Sequence, residues 1–464
     1  MKNQFTFLTG LGILCFLLFA GVFRFFQNDY LYHHTLGRIS SNYEWSQTGK
    51  NYEIIKVSKP FKEVNNTNLE TWDAVIYKCI SDRMYVIERA CYGMVRAAFF
   101  PLFPGLWKAL HCTSIGISVI NYFIFIASLA WLFTLLVPAR MPGQALDYII
   151  LATLPSSVFF LIPYTEALFM LTMTIVAAGI IKKKYLIFFA GSFLLAMVRP
   201  ATVFIYLAIM CAELVLMIKN KSYINSLKEM LFKSLPFLAG YFLSVFIQYM
   251  YSGSWTSMIE AQKYWGGKIE NIGTISDWSV EGFGMSVFSL FFICIPLLIY
   301  ISKMLVKTLN KGQVFKLHPE EPDGYLFLVS SFYLVGIFIF TLITSGGNLR
   351  SFSRFTLASP AFFIVVLISL KYLFHAPPRL PMIIYGLCTL LSLFFIFSVE
   401  YGGSRVDYSF AGYYMFIATG LFVLINRVMP THSKIPAAII IVLLNTVWNT
   451  YLLNAFLSKG WTFT

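Results

Sequence analysis

Charge is what this sequence has least of. Asp, Glu, Lys and Arg make up 12% of its 464 residues and hydrophobic residues 58%, and the mean hydropathy is +0.71. Soluble globular chains carry about twice that charged fraction, so the shortage places the protein in a bilayer. Whole classes of chemistry are missing as well. No P-loop, no GxGxxG after a strand, no HExxH and no GxSxG occurs, which leaves nucleotide cofactors, zinc hydrolysis and serine acyl transfer without their usual residues. There is no DxD pair, the device by which metal-dependent transferases hold a nucleotide-sugar diphosphate through a divalent cation. The seven cysteines, Cys15, Cys79, Cys91, Cys112, Cys211, Cys294 and Cys388, stand singly with no CxxC. Neither a zinc site nor a disulfide framework is therefore indicated.

Apolar runs fill the space that charge leaves. A span needs roughly 20 apolar residues, and runs near that length recur at about 5–26, 113–137, 146–161, 166–181, 185–198, 200–218, 232–251, 283–303, 324–343, 354–371, 381–399, 408–426 and 436–457. The first, Phe5 to Phe26, is too long for a signal-peptide core and no small-residue cleavage site follows it, so it reads as a retained span. The expectation is an all-α polytopic membrane protein of about 11–13 transmembrane helices, forming a single domain over 1–464.

The formal net charge of +14 does not indicate a nucleic-acid partner, because the basic residues sit in short clusters between apolar runs. With the N-terminus inside, Arg140, Lys182, Lys183, Lys184, Lys219, Lys221, Lys228, Lys233, Lys307, Lys311, Lys316, Arg379, Arg427 and Lys434 all fall on cytoplasmic connections, as the positive-inside rule asks. Two larger loops, 27–112 and 252–282, then face the other side. The opposite, base-poor side keeps Arg199, Lys263, Lys268, Arg350, Arg354 and Arg405. A guanidinium at membrane depth costs about 2.5 kcal/mol or more unless it finds a partner.

Within the first loop, LETWDAVIYKCISDRMY (Leu69 to Tyr85) predicts an amphipathic helix. Helical spacing puts Trp72, Val75, Ile76, Cys79 and Val86 on one face, toward lipid or the bundle, and Asp73, Tyr77 and Ser81 on another, toward water. Lys78 and Asp82 flank them. An acid, Asp73, is thereby held at the membrane surface, where a lipid head group and a dissolved reactant can meet.

Further groups fall on the same side: AFFPLFPGLW (Ala98 to Trp107), LIPYTEALF (Leu161 to Phe169), AMVRPAT (Ala196 to Thr202), EAQKYWGGK (Glu260 to Lys268) and RSFSRFTLASP (Arg350 to Pro360). In this order and spacing, from Trp72 to Pro360, the chain resembles the PIG-V (GPI mannosyltransferase 2) family and its bacterial relatives. The family pattern runs from a Trp-Asp pair through FFPxFP, a Tyr-Ser/Thr-Glu span start and an Arg-led outer turn to an AQxxW element. The resemblance implies a GT-C fold and transfer of a sugar, mannose in eukaryotic members, from a polyprenyl-phosphate donor to a glycan or glycolipid hydroxyl outside the cytoplasm. It implies no metal and no cofactor. Here the Arg-led turn reads Arg199-Pro200-Ala201-Thr202 where eukaryotic members have Arg-Ser-Asn-Gly, so the expected setting is a bacterial cell membrane, and a GPI precursor is not the expected acceptor.

On this reading Asp73 is the catalytic base. Arg199, Arg354 and Arg350 face the donor phosphate, since Arg binds phosphate bidentately. Trp72, Tyr77, Asp82, Tyr164, Glu166, Gln262 and Trp265 contact substrate. Each residue has a plainer reading too. Asp73 and Asp82 fit a solvated helix face, and Glu166 fits a carboxylate capping a helix dipole. The arginines fit anchors to ordinary lipid head groups, Tyr264 and Trp265 an interfacial aromatic belt, and Pro101 and Pro104 breaks that shape the loop. Two rival functions stand beside glycosyl transfer: a transporter or flippase of lipid-linked sugars, whose deep ionisable residue would be Glu213, and a non-catalytic subunit of an envelope complex.

Overall fold

The computed structural model describes residues 2–34, 42–48, 51–57, 61–86, 93–138, 143–264, 289–309, 319–344, 352–373 and 429–459, with isolated positions between 383 and 422. It is a multi-pass, all-α membrane protein; among the described residues the one strand pairing is an antiparallel hairpin, β1 (Asn42–Thr48) with β2 (Asn51–Val57), Asn42 opposite Val57. Among the described residues six helices are long and apolar enough to cross a membrane. They are α1 (Lys2–Phe26), α6 (Ser114–Leu136), α10 (Val203–Asn220), α11 (Tyr223–Ser252), α14 (Pro322–Thr344) and α17 (Thr431–Leu457). Three shorter apolar helices join them, α8 (Glu166–Ile181), α9 (Tyr185–Ala196) and α16 (Pro360–Leu373). The runs at 381–399 and 408–426 lie almost wholly outside the described residues.

The remaining helices are short: α2 (Asp29–His34), α3 (Asn66–Leu69), α4 (Asp73–Arg83), α5 (Leu102–Leu110), α7 (Gln144–Ala152), α12 (Ser257–Tyr264), α13 (Ile295–Leu309) and α15 (Phe352–Leu357). The turn between α8 and α9 is tight because both helices lose their side chains where they meet. A Cβ added at Gly179 would lie 2.5 Å from the Phe188 backbone nitrogen, and one at Gly191 2.8 Å from that of Val176. α8 packs on α6 and α9, and α10 on α14, around a core that includes Phe125, Phe160, Phe169, Ile209 and Tyr333.

The run at 146–161 is not one span. Pro155 has no amide hydrogen to donate, and the helix stops at Ala152 before a 3-10 turn over Pro155–Phe160. Carbonyls freed inside an apolar bundle need donors, and asparagines on neighbouring spans supply them. Asn449 of α17 donates to Thr153 O (2.8 Å) and Leu154 O (3.1 Å). Asn121 of α6 donates to Ile162 O (2.9 Å) and Tyr164 O (3.0 Å). These bonds fix the irregular stretch that leads into Glu166.

Candidate active site

The residues that resemble a family pattern are carried by segments pinned to the spans. Asn65 caps α3 by accepting from the Asn68 amide (2.8 Å). Asn66 accepts from the Ile115 amide (3.1 Å) at the start of α6, and Glu70 from the Ser114 hydroxyl. The Lys62 amide donates to Asn454 of α17 (2.8 Å). The chain therefore reaches Trp72 held on two sides.

Trp72, 37% exposed, has φ 55° and ψ −127°, a conformation a bulky residue adopts only when its surroundings impose it. The turn delivers Asp73 as the first residue of α4. The same happens at the other end, where Met84 has φ 55°. Tyr77 stands edge-on to Phe99 (4.9 Å) and Phe103 (5.1 Å), and the Tyr85 hydroxyl donates to Phe99 O (2.7 Å). Gln248 of α11 donates to Ala97 O (3.0 Å). Pro101 sits directly before α5 and Pro104 in its first turn, so both shape the loop.

The helix is turned about its axis from the expected orientation. Tyr77 and Ser81 are buried with Ala74, Ile76 and Ile80, whereas Trp72 and Val86 are exposed. The aromatic wall of Phe99 and Phe103 takes the face on which Asp73 and Tyr77 lie, so that face looks into the bundle. Burial, with Asp73 nearby, pushes the Tyr77 phenol well above its ordinary range. It is a neutral hydroxyl at physiological pH.

Four charged side chains from four distant segments meet here. Arg354 of α15 donates through Nη1 to Asp73 Oδ2 at 2.9 Å and through Nε to Glu166 Oε1 at 2.8 Å. Arg199, just before the 3-10 turn Pro200–Thr202, donates through Nη1 to the same Glu166 oxygen at 3.2 Å. Side-chain exposure is 23% for Asp73, 13% for Arg354, 11% for Arg199 and 1% for Glu166. Glu166 opens α8, where backbone amides and the helix dipole also favour an anion. Its second oxygen, Oε2, is buried without a hydrogen-bond partner among the described residues, as is the Ser353 hydroxyl next to Arg354.

Aromatic faces support the guanidinium groups. Arg354 lies 4.3 Å from the Tyr164 ring centroid and 5.6 Å from that of Phe159, and Arg199 lies 5.3 Å from Phe355 and 5.8 Å from Phe169. Each such contact is worth about 0.5–2 kcal/mol. Phe159, Phe169 and Phe355 were invisible as site residues in the sequence, being three among 47 phenylalanines.

The cluster is recessed. The 16 residues of α8 rise about 24 Å, short of the roughly 30 Å of hydrocarbon, with Lys182, Lys183 and Lys184 at the far end of the helix.

The partner that membrane depth demands of Arg199 and Arg354 is thus present within the chain, as Glu166 and Asp73. Asp82 is not part of the cluster: its side chain is 53% exposed and pairs with Lys78. Arg350 and Trp265 lie outside the described residues, and Gln262 is placed only as backbone within α12. Among the described residues no three His, Cys, Asp or Glu side chains gather as metal ligands would. Compared with protein-family models, with curated proteins and with solved structures, the chain finds no match.

Proposed function

We propose that this protein is a membrane glycosyltransferase of the GT-C type. It transfers a sugar, mannose by the resemblance above, from a polyprenyl-phosphate donor to an acceptor hydroxyl on the non-cytoplasmic side of a bacterial cell membrane. The observation that carries the reading is the convergence of Asp73, Glu166, Arg199 and Arg354. They come from positions spread over 281 residues and are held by 2.8–3.2 Å contacts in a recess at one end of the bundle.

An acid beside two guanidinium groups suits an inverting displacement. Asp73 takes the proton of the acceptor hydroxyl as that oxygen attacks C1 of the sugar. The C1–O bond to phosphate breaks, and its electron pair leaves with the polyprenyl phosphate. Arg199 and Arg354 offset the charge that develops there. Tyr164 and Glu166 shape the recess, and Trp72 lies at its exposed edge.

Two observations support the orientation. The basic clusters gather at the end of the bundle remote from Asp73. Cys79, on the same short helix as Asp73, is disulfide-bonded, which corrects the reading of the cysteines as single, and disulfides persist in oxidising compartments.

The transporter reading draws on the broken segment 153–165. Against it weighs Glu213, whose carboxylate is already tied to Lys233 and Tyr325. About 15 Å of helix, lined by buried Ile205, Ala208, Ile209 and Ala212, separates it from Val203 at the other end.

The test uses purified protein in lipid, offered labelled polyprenyl-phosphate sugars. Release of polyprenyl phosphate with mannose as the preferred sugar supports the reading, and no release with any sugar and acceptor removes it. Labelling a cysteine placed at Asn66 from outside intact cells checks the side; protection from the outside reagent would reverse it.

A further inference from the structure

Arg354 serves two carboxylates, and the two are unequal. Glu166 is enclosed and also held by Arg199, whereas Asp73 keeps 23% of its side chain exposed and has Arg354 as its ion-pair partner. One guanidinium edge is thus anchored, and the other rests on a group open to reactants. At rest the two acids and two arginines cancel.

We infer that Arg354 is handed from Asp73 to the leaving phosphate during each transfer, an inference that rests on the glycosyl-transfer reading. In that step the acceptor O–H proton moves to Asp73 and the acceptor oxygen bonds to C1. The C1–O bond to phosphate breaks, with its electron pair going to the phosphate oxygen. Asp73 loses one negative charge as the phosphate gains one, since a diester carries a single charge and the product monoester up to two. The total charge of cluster and phosphate is the same before and after. Arg354 keeps its Nε bond to Glu166, and Nη1, no longer held by a carboxylate, turns to the phosphate. Glu166 is a positioning residue here, fixing the pivot about which the other edge changes partner. Once the glycosylated acceptor has left, Asp73 returns its proton to water and recaptures Arg354, which helps expel the lipid phosphate.

An ionised Asp73 therefore competes with the product for Arg354, and removing its charge should strengthen product binding even as it slows turnover. Plain repulsion between a lining carboxylate and the phosphate would also give a gain on neutralisation, but one that does not depend on Arg354. The measurement is the affinity of a short-chain prenyl monophosphate, citronellyl phosphate, for the protein in phosphatidylcholine nanodiscs, with citronellol as the uncharged control. Asp73→Asn, and Asp73→Ser as a second variant, should bind it about five- to tenfold tighter than wild type, the effect of removing one partly screened charge contact. The double variant Asp73→Asn with Arg354→Gln should lose that gain, because the coupling runs through Arg354. Wild-type affinity in both Asp73 variants, or a gain that survives loss of Arg354, overturns the hand-off while leaving the transfer reading intact. Absence of binding by wild type and all variants removes the transfer reading and the hand-off with it.

Discussion

Among the described residues, two buried charge clusters stand at opposite ends of the bundle, and they are built differently. Near the basic end, Lys233 of α11 and the Tyr325 hydroxyl of α14 both donate to one oxygen of Glu213 in α10, the latter at 2.6 Å, and Lys233 also lies 3.6 Å from Glu229. Lys219–Glu320 and Lys371–Asp323 stand close by. Those groups lie on a few packed helices and close on one another, so the cluster works as a staple. At the other end the members come from four segments, the cations are arginines on aromatic faces, Glu166 keeps an oxygen with no partner among the described residues, and Asp73 is partly open. A staple has no use for an acid that follows a strained turn and shares its guanidinium with a second carboxylate. On the proposed reading, the difference assigns the chemistry to the cluster whose saturation is incomplete.

Substitution should separate the two regions most sharply at Asp73. Asp73→Asn keeps the size and removes the base, so turnover should fall by about 10² to 10⁴, with thermal unfolding in detergent little changed. Arg354→Ala comes next. It takes the ion-pair partner from Asp73 and leaves Glu166 with Arg199 alone, and the loss of one partner of a buried pair costs about 3–5 kcal/mol, read as a lower unfolding temperature together with weakened donor use. Arg354→Lys should keep more stability but still weaken donor use, because a point charge cannot bridge two carboxylates in a fixed fork. Equal donor affinity in both variants would make Arg354 structural only.

At the opposite end the signature reverses. Glu213→Gln should lower stability by about 1–3 kcal/mol and leave turnover per folded molecule at the wild-type value; a turnover loss there would favour the transporter reading. The smallest effects belong to α4. Asp82→Asn removes an exposed i,i+4 pair worth about 0–1 kcal/mol and should alter neither stability nor rate measurably. Tyr77→Phe should leave the alkaline limb of the pH–rate profile unmoved, because burial raises the phenol's titration beyond the pH range assayed.

Much of this contrast was legible in the sequence, and the rest was not for definable reasons. The run 166–181 appears as α8 over Glu166–Ile181, because an uninterrupted apolar stretch between an acid and three lysines leaves little choice. The run 146–161 hid a break, since Pro155 sits within residues that are apolar throughout. Arg199 and Arg354 could be recognised as charges needing partners, but a sequence does not say that Glu166, 188 residues before Arg354, is one of them. Helical spacing grouped Asp73 with Tyr77 correctly yet did not reveal the direction of that face, which the aromatic wall of Phe99 and Phe103 decides. Asn121 and Asn449 carry no signal in the sequence, because the carbonyls they serve belong to a neighbouring segment.

The most direct measurement puts the two clusters side by side. Wild type, Asp73→Asn and Glu213→Gln, each purified in lipid and corrected for folded fraction, are offered labelled polyprenyl-phosphate mannose and an acceptor glycan, and release of polyprenyl phosphate is followed. The account predicts release by wild type and Glu213→Gln at matching rates and a loss of at least about a hundredfold in Asp73→Asn. Wild-type release by Asp73→Asn would contradict it.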